Sequence, residues 1–310
     1  MNSWIVRLLV LKIGAFSFIS VSAQTASEPL YTGTVPNAKT IPADSLVEFL
    51  DTSRGYYGNV RIPGISVYPC SSEKRTGTAV VVFPGGGYRV VVDEGAAFAK
   101  AFNDEGITVF VLKYRLPNQQ AMYNSSICPL QDAQMAIRYA RQHAGQYGID
   151  ASKIGVLGIS AGGHLATTLT NHADSVLINN PEKINLRPDF MILLYPVISF
   201  LQYPVKTTVE RLLGANADSS SLAYFSNERY ATRQTPPTFL LHAADDEQVS
   251  VRHSLIYYEA LLQAAVPAEL HVLQSGGHAF GLEHSTRGNE WWQYCMAWMR
   301  ENGFAKTVSR

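Results

Sequence analysis

The chain lacks a surplus of either charge. Its 25 Lys and Arg residues face 25 Asp and Glu residues, and charged side chains make up 16% of 310 positions. A balanced chain sets up no long-range field to gather nucleic acid or an anionic membrane, so a neutral partner is easier to accommodate. Cysteine is scarce as well. Cys70, Cys128 and Cys295 are widely spaced and form no C-x-x-C pair, which removes the common metal and redox patterns. They read as structural, with one disulfide open to an exported chain and one thiol left over. No low-complexity tract and no repeat of fixed period occurs, which argues against solenoids and disordered arrays.

Uninterrupted membrane-length apolar runs are missing too. Residues 1–23 place Arg7 and Lys12 around a short apolar series and end in Val21-Ser22-Ala23, with small residues where a signal peptidase cuts. This predicts a signal peptide cleaved before Gln24, with a retained N-terminal anchor as the alternative. The expected location is secreted or periplasmic, with no membrane association after cleavage. Residues 24–310 then form one domain, and 46% hydrophobic composition fits a well-packed core.

What is present is an alternation of apolar runs and helix-like segments. Strands are expected near residues 65–68, 77–83, 108–112, 154–157, 190–194, 238–241 and 268–272. Helices are expected near 94–105, along one long stretch at 129–147, and at 251–264 and 290–299. Strands too apolar to be half-exposed, each followed by a helix, predict an α/β fold with a mostly parallel central sheet and helices on both faces. Residues 199–237 break this rhythm with Ser, Asn, Tyr and Thr around a helix-like 208–213. They read as an insertion before the later strands, either a lid over the site or a plain surface connection.

The chemistry-bearing stretch is Gly158-Ile159-Ser160-Ala161-Gly162, between an apolar strand and a small-residue helix. A serine on a sharp strand-to-helix turn needs glycine on either side, where the backbone doubles back. The turn exposes the Ser160 hydroxyl and sets the Ala161 N–H at a helix N-terminus, where a negative oxygen can be received. A serine hydroxyl also needs a base and an acid to orient that base. His278, in Ser275-Gly276-Gly277-His278, follows the last expected strand and can reach back across the sheet edge. His242, His253 and His271 lie in regular segments and read as structural; His164, one turn past Ser160, reads as packing or pocket wall. The acid is Asp246, with Asp245 as fallback, just beyond the 238–241 strand. Pro84-Gly85-Gly86-Gly87 ends another strand, and its Gly86 N–H, then Gly85, is the second candidate oxyanion donor.

Together, Phe83-Pro84-Gly85-Gly86-Gly87-Tyr88, Ile159-Ser160-Ala161-Gly162-Gly163-His164-Leu165, Ala244-Asp245-Asp246 and Gly276-Gly277-His278 resemble the secreted esterase/lipase branch of the α/β-hydrolases. The similarity is strongest to bacterial acetylxylan and feruloyl esterase-like (BD-FAE-like) enzymes. It extends to Lys113-Tyr114-Arg115-Leu116 and Pro129-Leu130-Gln131-Asp132. The order Ser160, Asp246, His278 is the order of that class, and Asp246 leads Val249 as in its D-x-x-V turn. Proline at 84, where related lipases carry histidine, departs from the hormone-sensitive-lipase type.

The resemblance implies a carboxylic-ester hydrolase that removes acetyl or feruloyl groups from plant polysaccharide or smaller esters, without metal or organic cofactor. Tyr88 and Tyr195 are candidate walls of a sugar platform, with buried packing as the other reading. Rivals are a short-chain carboxylesterase or lipase, a prolyl-oligopeptidase-type peptidase, which the lack of a propeller-sized N-terminal region disfavours, and an inactive hydrolase-fold binding protein. The sequence sets no oligomeric state.

Overall fold

A computed structural model describes residues 27–42, 44–282 and 290–306; the expected signal segment at 1–23 lies outside them. Eleven strands occur among these residues: β1 (Glu28–Pro29), β2 (Phe49–Asp51), β3 (Tyr56–Gly58), β4 (Gly64–Tyr68), β5 (Ala79–Phe83), β6 (Val90–Val92), β7 (Thr108–Lys113), β8 (Ile154–Ile159), β9 (Met191–Leu194), β10 (Thr238–Ala243) and β11 (Ala268–Leu273). Eight α-helices join them: α1 (Gly95–Asp104), α2 (Cys128–Gln142), α3 (Ala144–Tyr147), α4 (Ala161–Asn171), α5 (Lys206–Leu213), α6 (Ser219–Tyr224), α7 (Arg252–Gln263) and α8 (Glu290–Glu301).

The main sheet runs β1-β4-β7-β5-β8-β9-β10-β11. From β7 to β11 every neighbouring pair is parallel, while β4 and β1 add an antiparallel edge. Why these segments are strands follows from burial on both faces. Every residue of β5, β8, β9 and β10 is buried, so β-branched and aliphatic side chains are needed at each position rather than at alternate ones. Ala79, Val81 and Phe83 of β5 face a core completed by α2, α4 and α7; Val80 and Val82 face a second core completed by α1 and α8. The sheet is therefore sandwiched between helices on both sides.

The chain reverses its direction of travel across the sheet between β5 and β8. After β5 it moves outward to β7, then returns to lay β8 on the other side of β5. Ligand crevices open at the carboxyl ends of the strands at such a switch point. Phe83 pairs in register with Gly158, so the loops after β5 and β8 leave the sheet side by side.

Two expectations need correction, and one element is added. The single long helix at 129–147 is broken at His143, whose backbone leaves helical geometry and whose Nδ1 bonds the Tyr139 carbonyl at 2.8 Å. A side chain competing for the last carbonyls ends α2 there. The open disulfide does not form: Cys70, Cys128 and Cys295 are all free and buried. A small antiparallel sheet β2-β3-β6, unforeseen from sequence, packs beside the glycine loop.

Candidate active site

Ser160 sits where β8 turns into α4, at φ 54° and ψ −116°. Such a backbone is strained for a residue with a Cβ and persists only when its surroundings enforce it. They do so here. A Cβ on Gly162 would collide with the Phe83 carbonyl oxygen, and one on Gly158 would lie 2.6 Å from the Gly163 Cα. The Ser160 N–H is held by the Leu194 carbonyl at 3.0 Å, which fixes the turn against β9.

The hydroxyl so exposed donates to His278 Nε2 across 2.9 Å. His278 Nδ1 in turn donates to Asp246 Oδ2 across 2.6 Å. Asp246 Oδ1 accepts the N–H groups of Gln248 and Val249, each at 2.9 Å, so the carboxylate is locked by its own turn. Burial pushes this carboxyl up, but hydrogen bonds from His242, His278 and Val249 outweigh it and hold it well below the usual carboxylate range. Asp245, the fallback acid, points elsewhere: its Oδ1 accepts the Gly277 N–H at 2.8 Å and steadies the loop that carries His278. Both aspartates serve the histidine, by different routes.

Opposite the serine stands the loop after β5. Among the described residues the N–H groups of Gly86 and Ala161 have no internal acceptor, as donors reserved for an oxyanion require. The second-choice donor, Gly85, is corrected: its N–H goes to Glu94 Oε1 at 3.0 Å and is not free for substrate. Gly86 adopts φ 125°, and a Cβ there would collide with the Val90 carbonyl oxygen, so only glycine fits. The Tyr114 hydroxyl donates to the Pro84 carbonyl at 2.8 Å and ties the loop to β7 from behind. Tyr114 is held beside the fully buried Arg115–Asp132 pair, 2.7 Å apart, whose Arg115 also reaches the Cys128 carbonyl. The K-Y-R-L and P-L-Q-D segments thus support the glycine loop after β5.

Tyr88 is not a sugar platform. It is 2% exposed, and its hydroxyl bonds His164 Nδ1 at 2.9 Å. The other His164 nitrogen faces the Phe225 carbonyl at 2.9 Å, which can only accept, so Nε2 carries the proton and Nδ1 accepts from tyrosine. Burial pushes the His164 imidazole down to about 3, leaving it neutral, and its ring stacks on Phe200. His164 is a packing residue. Tyr195 is also buried, with its ring edge-on to His278 and its hydroxyl accepting the Gly281 N–H at 3.1 Å; it braces the base and touches the cavity with little surface.

Sequence reasoning missed three groups. Glu94 lines the cavity and holds Gly85; burial pushes its carboxyl up, countered by the Gly85 N–H and His278. In sequence it is simply an acid beside a helix start. His242 Nε2 lies 3.3 Å from Asp246 Oδ2 and 2.8 Å from the Val249 carbonyl, so the acid has histidines on two sides. Arg89 and Arg211 border the cavity mouth. The cavity measures about 680 Å³, and the 199–237 insertion gives it Val205, Thr207, Thr208 and Arg211. Among the described residues no group of three His, Cys, Asp or Glu side chains is gathered as a metal set would be.

Residues 65–261 match the BD-FAE family, a span that takes in Gly86, Ser160 and Asp246. The chain belongs to the BD-FAE family. The match stops short of His278, which the fold brings to Ser160 from 118 positions away. The BD-FAE chain is 34% identical over 233 residues to endo-1,4-beta-xylanase B of Butyrivibrio fibrisolvens, covering 74% of this chain and 36% of that protein. It is 31% identical over 215 residues to an acetylxylan esterase of Xylanibacter ruminicola, covering 67% of this chain and 42% of that one. The chain therefore spans well under half the length of these curated relatives. Among solved structures, the acetyl ester-xyloside bifunctional hydrolase of Caldicellulosiruptor lactoaceticus superposes with a TM-score of 0.78 at 35% identity, over 91% of this chain and 97% of that one.

Proposed function

We propose that this BD-FAE chain is a serine carboxylic-ester hydrolase that deacetylates xylan or a related plant polysaccharide or oligosaccharide through an acyl-enzyme. The observation that carries the reading is the unbroken chain Ser160 Oγ–His278 Nε2 and His278 Nδ1–Asp246 Oδ2, facing two free backbone donors. His278 Nε2 takes the hydroxyl proton as Ser160 Oγ attacks the ester carbonyl, and Gly86 with Ala161 holds the resulting oxyanion. Collapse breaks the bond to the sugar oxygen, which leaves with the proton from His278. Water then gives its proton to His278 and attacks the acyl carbonyl; the second intermediate expels Ser160, reprotonated by His278, and acetate departs.

The acetyl and xylan parts of the proposal draw on the names of two relatives, an acetylxylan esterase and an acetyl ester-xyloside bifunctional hydrolase. Export is proposed from the 1–23 pattern alone and is tested by finding Gln24 as the mature N-terminus. The activity is tested with acetyl, butyryl, octanoyl and feruloyl esters and acetylated xylan, using Ser160→Ala as control. Acetyl should be preferred and the serine variant inert; octanoyl preference would turn the reading to a lipase, and no ester cleavage by a folded wild-type protein would sink it.

A further inference from the structure

The cavity does not end at the nucleophile. Arg89 and Arg211 line the catalytic cavity and also a narrower one of about 80 Å³ that includes Arg61. Arg211, Pro117 and Asn118 then continue into an open groove of about 810 Å³ whose walls carry Gln119, Gln120 and Asn216. Cavities that share walls in this way form one path leading outward from Ser160.

Three cations meet along this path. Arg54, Arg115, Arg138, Arg141, Arg187 and Arg300 each have a carboxylate partner; among the described residues Arg61, Arg89 and Arg211 have none, as is also true of Arg75, Arg229, Arg233 and Arg252, but only the first three line one cavity together. The Arg61 Nε is buried and lacks any acceptor among the described residues. The acids nearby are engaged: Glu210, on the wall of the open groove, lies 3.8 Å from Lys206; Glu48 pairs with Lys113 and accepts the backbone N–H groups of Arg61 and Ile62; Glu94 accepts the Gly85 N–H. Three arginines line one narrow space; their charges favour an entering anion, and planar guanidinium forks fit a carboxylate with two parallel hydrogen bonds. The amides of Asn118, Gln119, Gln120 and Asn216 beyond them offer both donors and acceptors, as sugar hydroxyls require.

We infer that this groove binds an oligosaccharide carrying a uronic-acid carboxylate, so that the proposed esterase removes acetyl groups from an acidic rather than a neutral glycan. The consequence for catalysis rests on the esterase reading; the binding preference does not, and is measured without turnover. The full chain carrying Ser160→Ala is titrated calorimetrically with a xylo-oligosaccharide bearing one glucuronic acid and with the uncharged oligosaccharide of the same length. The acidic ligand should bind about tenfold more tightly at low ionic strength, with the ratio shrinking in high salt. Adding Arg89→Gln and Arg211→Gln together should bring the ratio close to one, and Arg211→Glu alone should reduce it strongly, with unaltered thermal melting as the control for folding. Equal affinities in the parent, or a ratio untouched by the arginine changes, overturn the inference. Failure of the wild-type chain to release acetate from either ligand, when both are acetylated, overturns the esterase reading and leaves the affinity ratio to be judged by itself.

Discussion

Replacing Asp246 with asparagine separates the two aspartates that act on His278. The new amide nitrogen, if turned toward the ring, meets Nδ1 with a donor where the native carboxylate accepts at 2.6 Å. The alternative rotamer presents N–H to the backbone donors of Gln248 and Val249, which now meet Asp246 Oδ1 at 2.9 Å. Those two backbone bonds favour keeping the amide oxygen on their side, so the nitrogen faces His278. The ring is then driven to the tautomer that protonates Nε2, and the base that should accept from Ser160 is lost. Loss of the correct tautomer in such triads lowers turnover about 10,000-fold, which corresponds to about 5 kcal/mol of barrier. In Asp245→Asn the oxygen can still accept the Gly277 N–H, so only the charge assistance of that 2.8 Å bond disappears. About 1 kcal/mol, or roughly fivefold, follows. Initial rates on a chromogenic acetyl ester, with melting curves for each variant, measure both. Equal defects in the two variants, or a mild one in Asp246→Asn, would refute the reasoning.

Gly162→Ala puts a methyl group against the Phe83 carbonyl oxygen, and forcing β5 and α4 apart should lower stability by about 3 kcal/mol; a melting temperature equal to wild type would count against the tight elbow. Arg115→Ala leaves the fully buried Asp132 without its cation and should cost about 3–5 kcal/mol in urea unfolding, with less than 1 kcal/mol as the refuting result. Burial holds the folded His164 at about 3 and His253 at about 4, both below the ordinary value of 6.5. The unfolded chain therefore binds these protons first: stability is fully present above about pH 6.5 and falls toward pH 4, by up to about 1.4 kcal/mol per pH unit for each histidine. Asp246, whose carboxyl is lowered, adds its own loss only at more acidic pH, below the ordinary carboxylate value of 3.8. A urea midpoint that stays flat between about pH 7 and pH 5 would contradict this assignment.

The central strands were legible because β5, β8, β9 and β10 are buried on both faces, which leaves unbroken apolar runs. Ser160 and His278 were legible because glycines flank them: Gly158 and Gly162 leave room for the elbow, and Gly277 takes a left-handed backbone, φ 62°, in the loop that carries the histidine. Asp246 ranked over Asp245 through the family's D-x-x-V turn, and the hydrogen bonds of that turn to Gln248 and Val249 are local ones. What lay hidden depends on partners brought together by the fold. Glu94 removes Gly85 from the candidate oxyanion donors only because β6 returns the chain to the glycine loop. Tyr88 is buried in the core, with only an edge on the narrower cavity, because His164, 76 positions later, is there to take its hydroxyl. The three-residue strands β2, β3 and β6 are too short for a periodic signal of their own.

The pairing of Phe83 with Gly158 divides this molecule into parts with different freedom to drift. Ser160 and the glycine loop are set by one hydrogen-bond ladder in the middle of the sheet, where a slip by a single residue would turn every side chain to the wrong face. The arginines at the mouth come from elsewhere, one from the turn after the glycine loop and one from α5 in the insertion. Exchange of the insertion therefore changes what borders the cavity while Ser160 and the glycine loop keep their spacing. Laboratory recombination that grafts residues 199–237 between relatives, leaving β5 and β8 together, follows the same division.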